Sequence, residues 1–247
     1  MARDPGDGMA LLQVIGVERS FYGLEVLSGV DLQVKAHAIT GLVPPHRGRI
    51  VFAGADIAGL RPDQVSTRGL ARTFQIARGL PRLSVIENLM LYAPQQRGER
   101  LLSALLRPVA ARRQEQALVA RAIAIARRLN LYSVLANPAS DLSGGQKKLL
   151  EIGRVLMSEP RLILLDEPVA GVNPTLAREI GTHLKALAAE GITILLIEHH
   201  LDMVARLCDH VIVLAEGRRL AEGSFSAVAA DPAVQEAYMG RRRPGVL

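Results

Sequence analysis

A four-residue apolar run, Leu162-Ile163-Leu164-Leu165, stops abruptly at Asp166-Glu167-Pro168. A run this short and this uniformly apolar predicts a strand buried on both faces, the state of inner strands in parallel sheets. The segments after it alternate. Asn173-Pro174 reads as a helix N-cap with Pro at the first helical position. Leu176, Ile180, Leu184 and Leu187 then share one face, and Gly191 ends that helix. Ile192 to Ile197 and Val211 to Leu214 predict two more buried strands. Alternating strands and helices imply an α/β fold with a mostly parallel core sheet covered by helices.

The first part of the chain reads differently. Leu11 to Val17 and Val26 to Val34 predict an antiparallel β edge, and Ile39 to Val43 and Arg49 to Phe52 two short strands. From Ile76 to Asn137 the chain is rich in Arg, Ala and Leu, with Leu118, Ile123, Ile125 and Leu129 at helical spacing. The expected organisation is one domain over residues 11–240. Residues 11–75 and 151–240 form its α/β core and residues 76–150 an inserted helical lobe, between a loose tail (1–10) and a basic one (241–247). No internal repeat is present.

Composition narrows the function classes. With 49% apolar residues, 3% aromatic and no Trp, the core is built of aliphatic side chains. The single cysteine, Cys208, rules out an intrachain disulfide and suits a reducing compartment. No apolar run approaches the roughly 20 residues of a membrane helix, and Met1 to Gly8 lacks the character of a signal peptide. The net charge is +6, nearly all the positive charge is Arg, and two clusters stand out, Arg107, Arg112, Arg113, Arg121, Arg127 and Arg128 and then Arg241 to Arg243. These read as a solvated helix face and a tail. Without a fold or stacking motif for nucleic acid, their functional reading is attraction to an anionic membrane surface.

Three segments carry chemistry. In Leu142-Ser143-Gly144-Gly145-Gln146, Ser143 caps a helix whose apolar stripe is Leu149, Ile152, Val155 and Leu156. The two glycines leave backbone N–H groups open at the positive end of that helix, which makes an anion site or an ordinary helix start. Asp166 and Glu167 stand where a buried strand delivers its carboxyl end to a ligand. Asp166 suits magnesium reached through water, and Glu167 is placed to polarise an attacking water. Ile192 to Ile197 ends in Glu198-His199-His200. One of these histidines can sense a γ-phosphate. A metal pair is disfavoured, because adjacent strand residues point to opposite faces.

The order Gln75, LSGGQ (142–146), LILLDEP (162–168), His199 resembles the ABC ATPase family over nearly the whole chain. The resemblance implies an ABC-type nucleotide-binding domain with ATP and magnesium as ligands. It implies that Ser143, Gly144, Gly145 and Gln146 form the signature that reaches a partner's nucleotide. Glu167 resembles the catalytic glutamate, Asp166 the magnesium aspartate, and His199 the switch histidine. Gln75 resembles the glutamine that contacts magnesium and the membrane partner, and Phe21 the aromatic stacked on adenine. Ala71 to Gln75, Glu87-Asn88-Leu89, Ala170 to Pro174 and the segment from Asp231-Pro232 to Tyr238-Met239-Gly240 resemble importers of branched-chain amino acids, with urea and amide importers close by. Expected partners are a second ATPase subunit in a homo- or heterodimer, two transmembrane permease subunits and, through them, an extracytoplasmic solute-binding protein, but no nucleic acid. The expected location is peripheral, on the cytoplasmic face of the inner membrane.

One family feature is missing from the sequence. The phosphate loop is written G-x-x-x-x-G-K-[ST], and this chain contains no Gly-Lys pair; its lysines are Lys35, Lys147, Lys148 and Lys185. Ile39-Thr40-Gly41-Leu42-Val43 runs straight into Pro44-Pro45-His46-Arg47-Gly48, as though roughly eighteen residues of loop and following helix were absent. Ile39 to Leu42 reads either as the strand before such a loop or as the end of the helix after it.

Overall fold

β3 (Arg47–Phe52) buries Ile50 and Phe52 and exposes more of the residues between and before them, the period-two pattern of a strand with one face on a core. The computed structural model describes residues 10–21, 24–27, 39–42, 45–73, 80–94, 108–215 and 218–239. The chain divides into two compact units, residues 1–65 with 197–247 and residues 66–196.

In the first unit, β1 (Leu12–Phe21), β2 (Leu24–Leu27), β3 and β4 (Ala55–Asp56) form an antiparallel sheet in the order β2-β1-β3-β4. This is the expected antiparallel edge. The second strand is described only over Leu24–Leu27, and its expected extension to Val34 lies outside the described residues. Over Ile39 to Leu42, the described part of the strand expected at Ile39 to Val43, no strand is formed. Ile39 is helical and buried, Thr40 turns, and Gly41 takes φ +74°. A Cβ on Gly41 would stand 2.1 Å from the Leu60 carbonyl oxygen. Left-handed glycine is how helices commonly end, so of the two readings of this segment the structure selects the helix end. α1 (Pro62–Ser66) follows.

The second unit holds β5 (Leu70–Arg72), α2 (Val85–Met90), α3 (Pro108–Arg128), α4 (Gly144–Met157), β6 (Leu162–Asp166), α5 (Pro174–Ala189) and β7 (Thr193–Ile197). Its sheet runs β5-β6-β7, with β5 and β6 parallel. All five residues of β6 are buried, as the apolar run requires. β7, expected to be buried, is only half-buried; it lies at the outer edge of the described sheet. The expected α4 stripe of Leu149, Ile152, Val155 and Leu156 is buried. α4 packs against α2 and α3 at Gly153, where a Cβ would approach Leu89 Cδ2 to 2.8 Å and Leu129 Cδ1 to 3.2 Å. α3 buries Ala122, Ile125 and Ala126, and Leu129 follows them on the same helical face. Asn173 caps α5 by accepting from the Leu176 N–H, with Pro174 at the helix start, and Gly191 (φ +91°) lies just past its end.

The chain then returns to the first unit with α6 (Leu201–Leu207), β8 (Val211–Ala215), β9 (Arg218–Gly223), α7 (Phe225–Ala229) and α8 (Pro232–Met239). Val211 to Leu214 is therefore not one more strand of the parallel series. It pairs antiparallel with β9, over a small core of Val213, Val228 and Val234. Among the described residues no helix is long and apolar enough to cross a membrane.

Candidate nucleotide site

The turn into α4 is built by a reciprocal pair. Ser143 Oγ accepts from the Gln146 N–H at 3.2 Å, and Gln146 Oε1 accepts from the Ser143 N–H at 2.9 Å. The S-x-x-Q spacing signals such a capping box; Gln146, expected as a ligand-facing residue, is also the second half of the cap. Gly144 is open, with nothing within 4 Å of a Cβ placed there. Gly145 is not: its Cβ would lie 2.4 Å from Leu176 Cδ2 on α5. The glycine pair thus combines an open face for a ligand with close helix packing behind it. The first N–H groups of any helix lack internal partners, and here they belong to these glycines.

β6 carries Asp166 to its carboxyl end with only 3% of the side chain exposed. Arg72, at the end of the neighbouring strand β5 and 5% exposed, donates from Nη2 to Asp166 Oδ2 at 2.7 Å. Among the described residues, Asp166 Oδ1 is buried without a hydrogen-bond partner, as are Arg72 Nε and Nη1. A cavity of about 10 Å³ lined by Thr73, Lys148, Glu151, Ile152, Asp166 and Pro168 adjoins the carboxylate, room for about one water. The space takes one water and no metal ion, so a magnesium would lie beyond it and be reached from Asp166 through that water. Arg72 was not assigned a role from the sequence. Its signal was a charged residue in a short strand of otherwise buried residues, which needs a counter-charge.

Glu167 leaves the sheet in the left-handed region, φ +47°, and its carbonyl accepts from the Ala170 N–H at 3.1 Å. This reverses the chain directly after Asp166, so the two carboxylates are set by different backbone conformations. On α4, Glu151 is also buried, and desolvation pushes its carboxyl above the ordinary value of 4.5 against the pull of Lys148 and Arg154. Arg154, buried on the same helix, donates to Asn88 Oδ1 at 2.6 Å.

His199 belongs to the other unit. β7 ends at Ile197, so strand alternation does not govern the two histidines. Their rings lie 4.4 Å apart, tilted by 31°, which corrects the expectation of opposite faces. The His199 N–H donates to Glu198 Oε2 at 3.2 Å. Among the described residues, no group of three or more His, Cys, Asp or Glu could hold a metal ion. Phe21 ends β1, and only its backbone is described; Gln75 lies outside the described residues. Ser143 to Gln146, Asp166 and Glu167 thus share one unit. The arginine cluster of α3 is not uniformly a solvated face: Arg121 pairs with Glu159 and Arg128 with Glu190.

Residues 35–170 match the family model described as ABC transporter, and residues 218–243 match that described as branched-chain amino acid ATP-binding cassette transporter. The chain is 34% identical to a probable branched-chain amino acid transport ATP-binding protein, LivG, of Archaeoglobus fulgidus, over 94% of this chain and 96% of the relative. It is 33% identical to the high-affinity branched-chain amino acid transport ATP-binding protein LivG of Escherichia coli K12, over 93% and 92%. Among solved structures it is similar to the ADP conformation of an ATP-binding cassette of an ABC transporter, with TM-score 0.79 and 34% identity over 94% of this chain and 100% of that one.

Proposed function

The chain belongs to the ABC transporter family, and on that premise we propose that it is the ATP-binding subunit of an importer for branched-chain amino acids. ATP binding and hydrolysis would drive transport. The observation that carries the activity is β6, which sets buried Asp166 beside α4, the helix that the Ser143–Gln146 turn opens. The match of residues 218–243 and the relatives' names support the solute class.

In this reading Asp166 holds magnesium through water, and Glu167 is the general base toward the attacking water. Magnesium, when bound, neutralises charge on the phosphates. Ser143, Gly144, Gly145 and Gln146 offer helix-start donors to the nucleotide of a second ATPase subunit. Gln75 and His199 complete the catalytic set, and Phe21 stacks on the base. Two permease subunits and an extracytoplasmic solute-binding protein complete the assembly, with this subunit peripheral on the cytoplasmic face of the membrane.

A second reading rests on the missing Gly-Lys pair and on Ile39 to Gly41 forming a helix end. A phosphate loop supplies several charge-assisted hydrogen bonds of about 1.5–3 kcal/mol each, while micromolar binding totals about 8 kcal/mol. Without the loop the chain would hold no ATP of its own and would lend its signature to a partner subunit. The relatives' names speak for the first reading.

Uptake of labelled leucine, isoleucine and valine in cells with and without the gene tests the importer. Unchanged uptake of all three would remove the reading. Steady-state ATPase of the purified transporter with wild-type chain or Glu167→Gln separates the two roles: loss of most hydrolysis supports a catalytic subunit, and full retention a signature donor.

A further inference from the structure

Asn88 of α2 is 1% exposed. Its Nδ2 donates to the Leu80, Leu83 and Ser84 carbonyls at 3.1, 3.0 and 3.0 Å. Its Oδ1 accepts from the Leu80 N–H at 3.3 Å and from Arg154 Nη2 at 2.6 Å. Both ends of the amide are in use. One side chain thus ties residues 80–84 to α2 and to the buried guanidinium of α4. The same residues are tied to the approach to the signature turn. The Ala139 N–H donates to the Leu83 carbonyl and the Ser140 N–H to the Pro81 carbonyl, both at 2.9 Å. The Ser140 carbonyl accepts from Lys147 Nζ, on the first turn of α4, at 3.1 Å. Residues 80–84 are therefore a strap between the body of α4 and the residues that lead into its start.

Packing alone does not call for Arg154. It is 5% exposed, and its Nε is buried without a hydrogen-bond partner among the described residues. Desolvation pulls the guanidinium below its ordinary value, against the pull of Tyr92 and Glu151. Burying a charge is unfavourable unless it is paired and hydrogen-bonded, and an aliphatic side chain of that length would also fill the space beside α2. What the guanidinium adds is direction. It makes the 2.6 Å bond to Asn88 Oδ1, and its Cζ lies 5.6 Å from the centroid of the Tyr92 ring.

We propose that Asn88 and Arg154 are positioning residues for the signature turn: they fix the strap, and through Ala139 and Ser140 the strap sets the direction of the Gly144 and Gly145 N–H groups. Neither residue touches the nucleotide. Direction matters because donors aimed at a phosphate act by geometry, and a misplacement of about 1 Å can lower a rate about a hundredfold. The role in hydrolysis rests on the reading of Ser143 to Gln146 as a signature, given above. The link between strap and turn does not.

Arg154→Met and Arg154→Lys, each in the purified transporter, test the role. Arg154→Met keeps the length of the side chain and sheds the buried charge, so it should melt within about 4 °C of wild type. It should lower kcat for ATP about tenfold or more and leave KM within about twofold, the pattern of an interaction lost only in the transition state. Arg154→Lys can still donate to Asn88 Oδ1 but lacks the planar fork, and its kcat should stand at least about threefold above that of Arg154→Met. Amide exchange of the full chain gives a readout that needs no hydrolysis. The N–H groups of Ala139, Ser140 and Gln146 should exchange about tenfold faster in Arg154→Met, and those of Leu162 to Leu165 at the wild-type rate. Wild-type kcat in Arg154→Met, or a fall no larger than its loss of folded protein, overturns the proposal. So does unchanged exchange at Ala139, Ser140 and Gln146. Should Arg154→Met fail to fold, Arg154→Lys carries the same two measurements, with smaller changes expected and wild-type values of both overturning the proposal. If exchange rises as described but the wild-type transporter hydrolyses no ATP, the strap stands and the importer reading falls. If wild type hydrolyses ATP and neither kcat nor exchange responds, the reverse holds.

Discussion

Arg72 Nη2 stands 2.7 Å from Asp166 Oδ2, the two side chains only 5% and 3% exposed, at the ends of adjacent parallel strands. Each charge answers the other's desolvation, yet Asp166 Oδ1 and two Arg72 nitrogens have no partner among the described residues. The pair therefore fixes the carboxylate without saturating it. Removing one member of a buried pair strands the other charge, at about 3–5 kcal/mol. Arg72→Met should lower stability by that order in denaturant unfolding, and Arg72→Met with Asp166→Leu should recover much of the loss. A single substitution within about 0.5 kcal/mol of wild type would show the pair to be solvated rather than buried.

Glu151 gives the pH dependence. Burial raises its carboxyl above 4.5, so folding favours the protonated form. The stability it contributes is complete below 4.5 and is lost as the pH rises through the raised folded value. Glu151→Gln, which mimics the protonated acid, should therefore raise the melting temperature at pH 7 and leave it near wild type at pH 4. Each kcal/mol relieved corresponds to about 2–4 °C for a chain of this size. A substitution that lowers the pH 7 melt would mean that the Lys148 and Arg154 charges outweigh desolvation.

The Ser143–Gln146 box predicts a smaller, local effect. Ser143→Ala removes the acceptor for the Gln146 N–H and should destabilise by about 1 kcal/mol. Ser143→Asp keeps an acceptor and adds a favourable charge at the helix start, so it should melt near wild type. Equal losses in both variants would count against the cap.

These positions differ in how visible they were beforehand. The buried strand β6, the Asn173-Pro174 start of α5 and the α4 stripe are written in a few consecutive residues, and the structure has them where the pattern placed them. Ile39 to Leu42 was ambiguous because four small and apolar residues fit a strand end and a helix end alike. Only the left-handed Gly41, held against the Leu60 carbonyl, decides it. The sequence of β8 fits one more member of the strand–helix alternation, because periodicity is blind to its antiparallel partner β9. The Arg72–Asp166 pair joins residues 94 apart in sequence, and no local pattern encodes such a meeting. The same holds for Arg128 and Glu190, 62 apart.

On the second reading, in which the chain lacks a phosphate loop, the helix end at Ile39 to Gly41 sets where a restored loop would go. Read as a strand, this segment would put a restored loop between Val43 and Pro44. Read as the structure has it, the restored stretch of strand, loop and helix, roughly eighteen residues, belongs between Ala38 and Ile39, so that its helix runs into Ile39 and stops at Gly41. The two insertions should behave differently. Placed before Ile39, the insert should raise the melting temperature, since a filled core stabilises, and should bring ATP–magnesium binding to the micromolar range. Placed after Val43, it would follow a chain already turned by Gly41 and should do neither. Calorimetric titration with ATP–magnesium and a thermal melt of both variants and of the parent chain decide the matter. Equal gains from both insertions would refute the assignment of Ile39 to Gly41 as the end of the phosphate-loop helix, and micromolar binding by the parent would remove the second reading, in which the chain holds no ATP of its own.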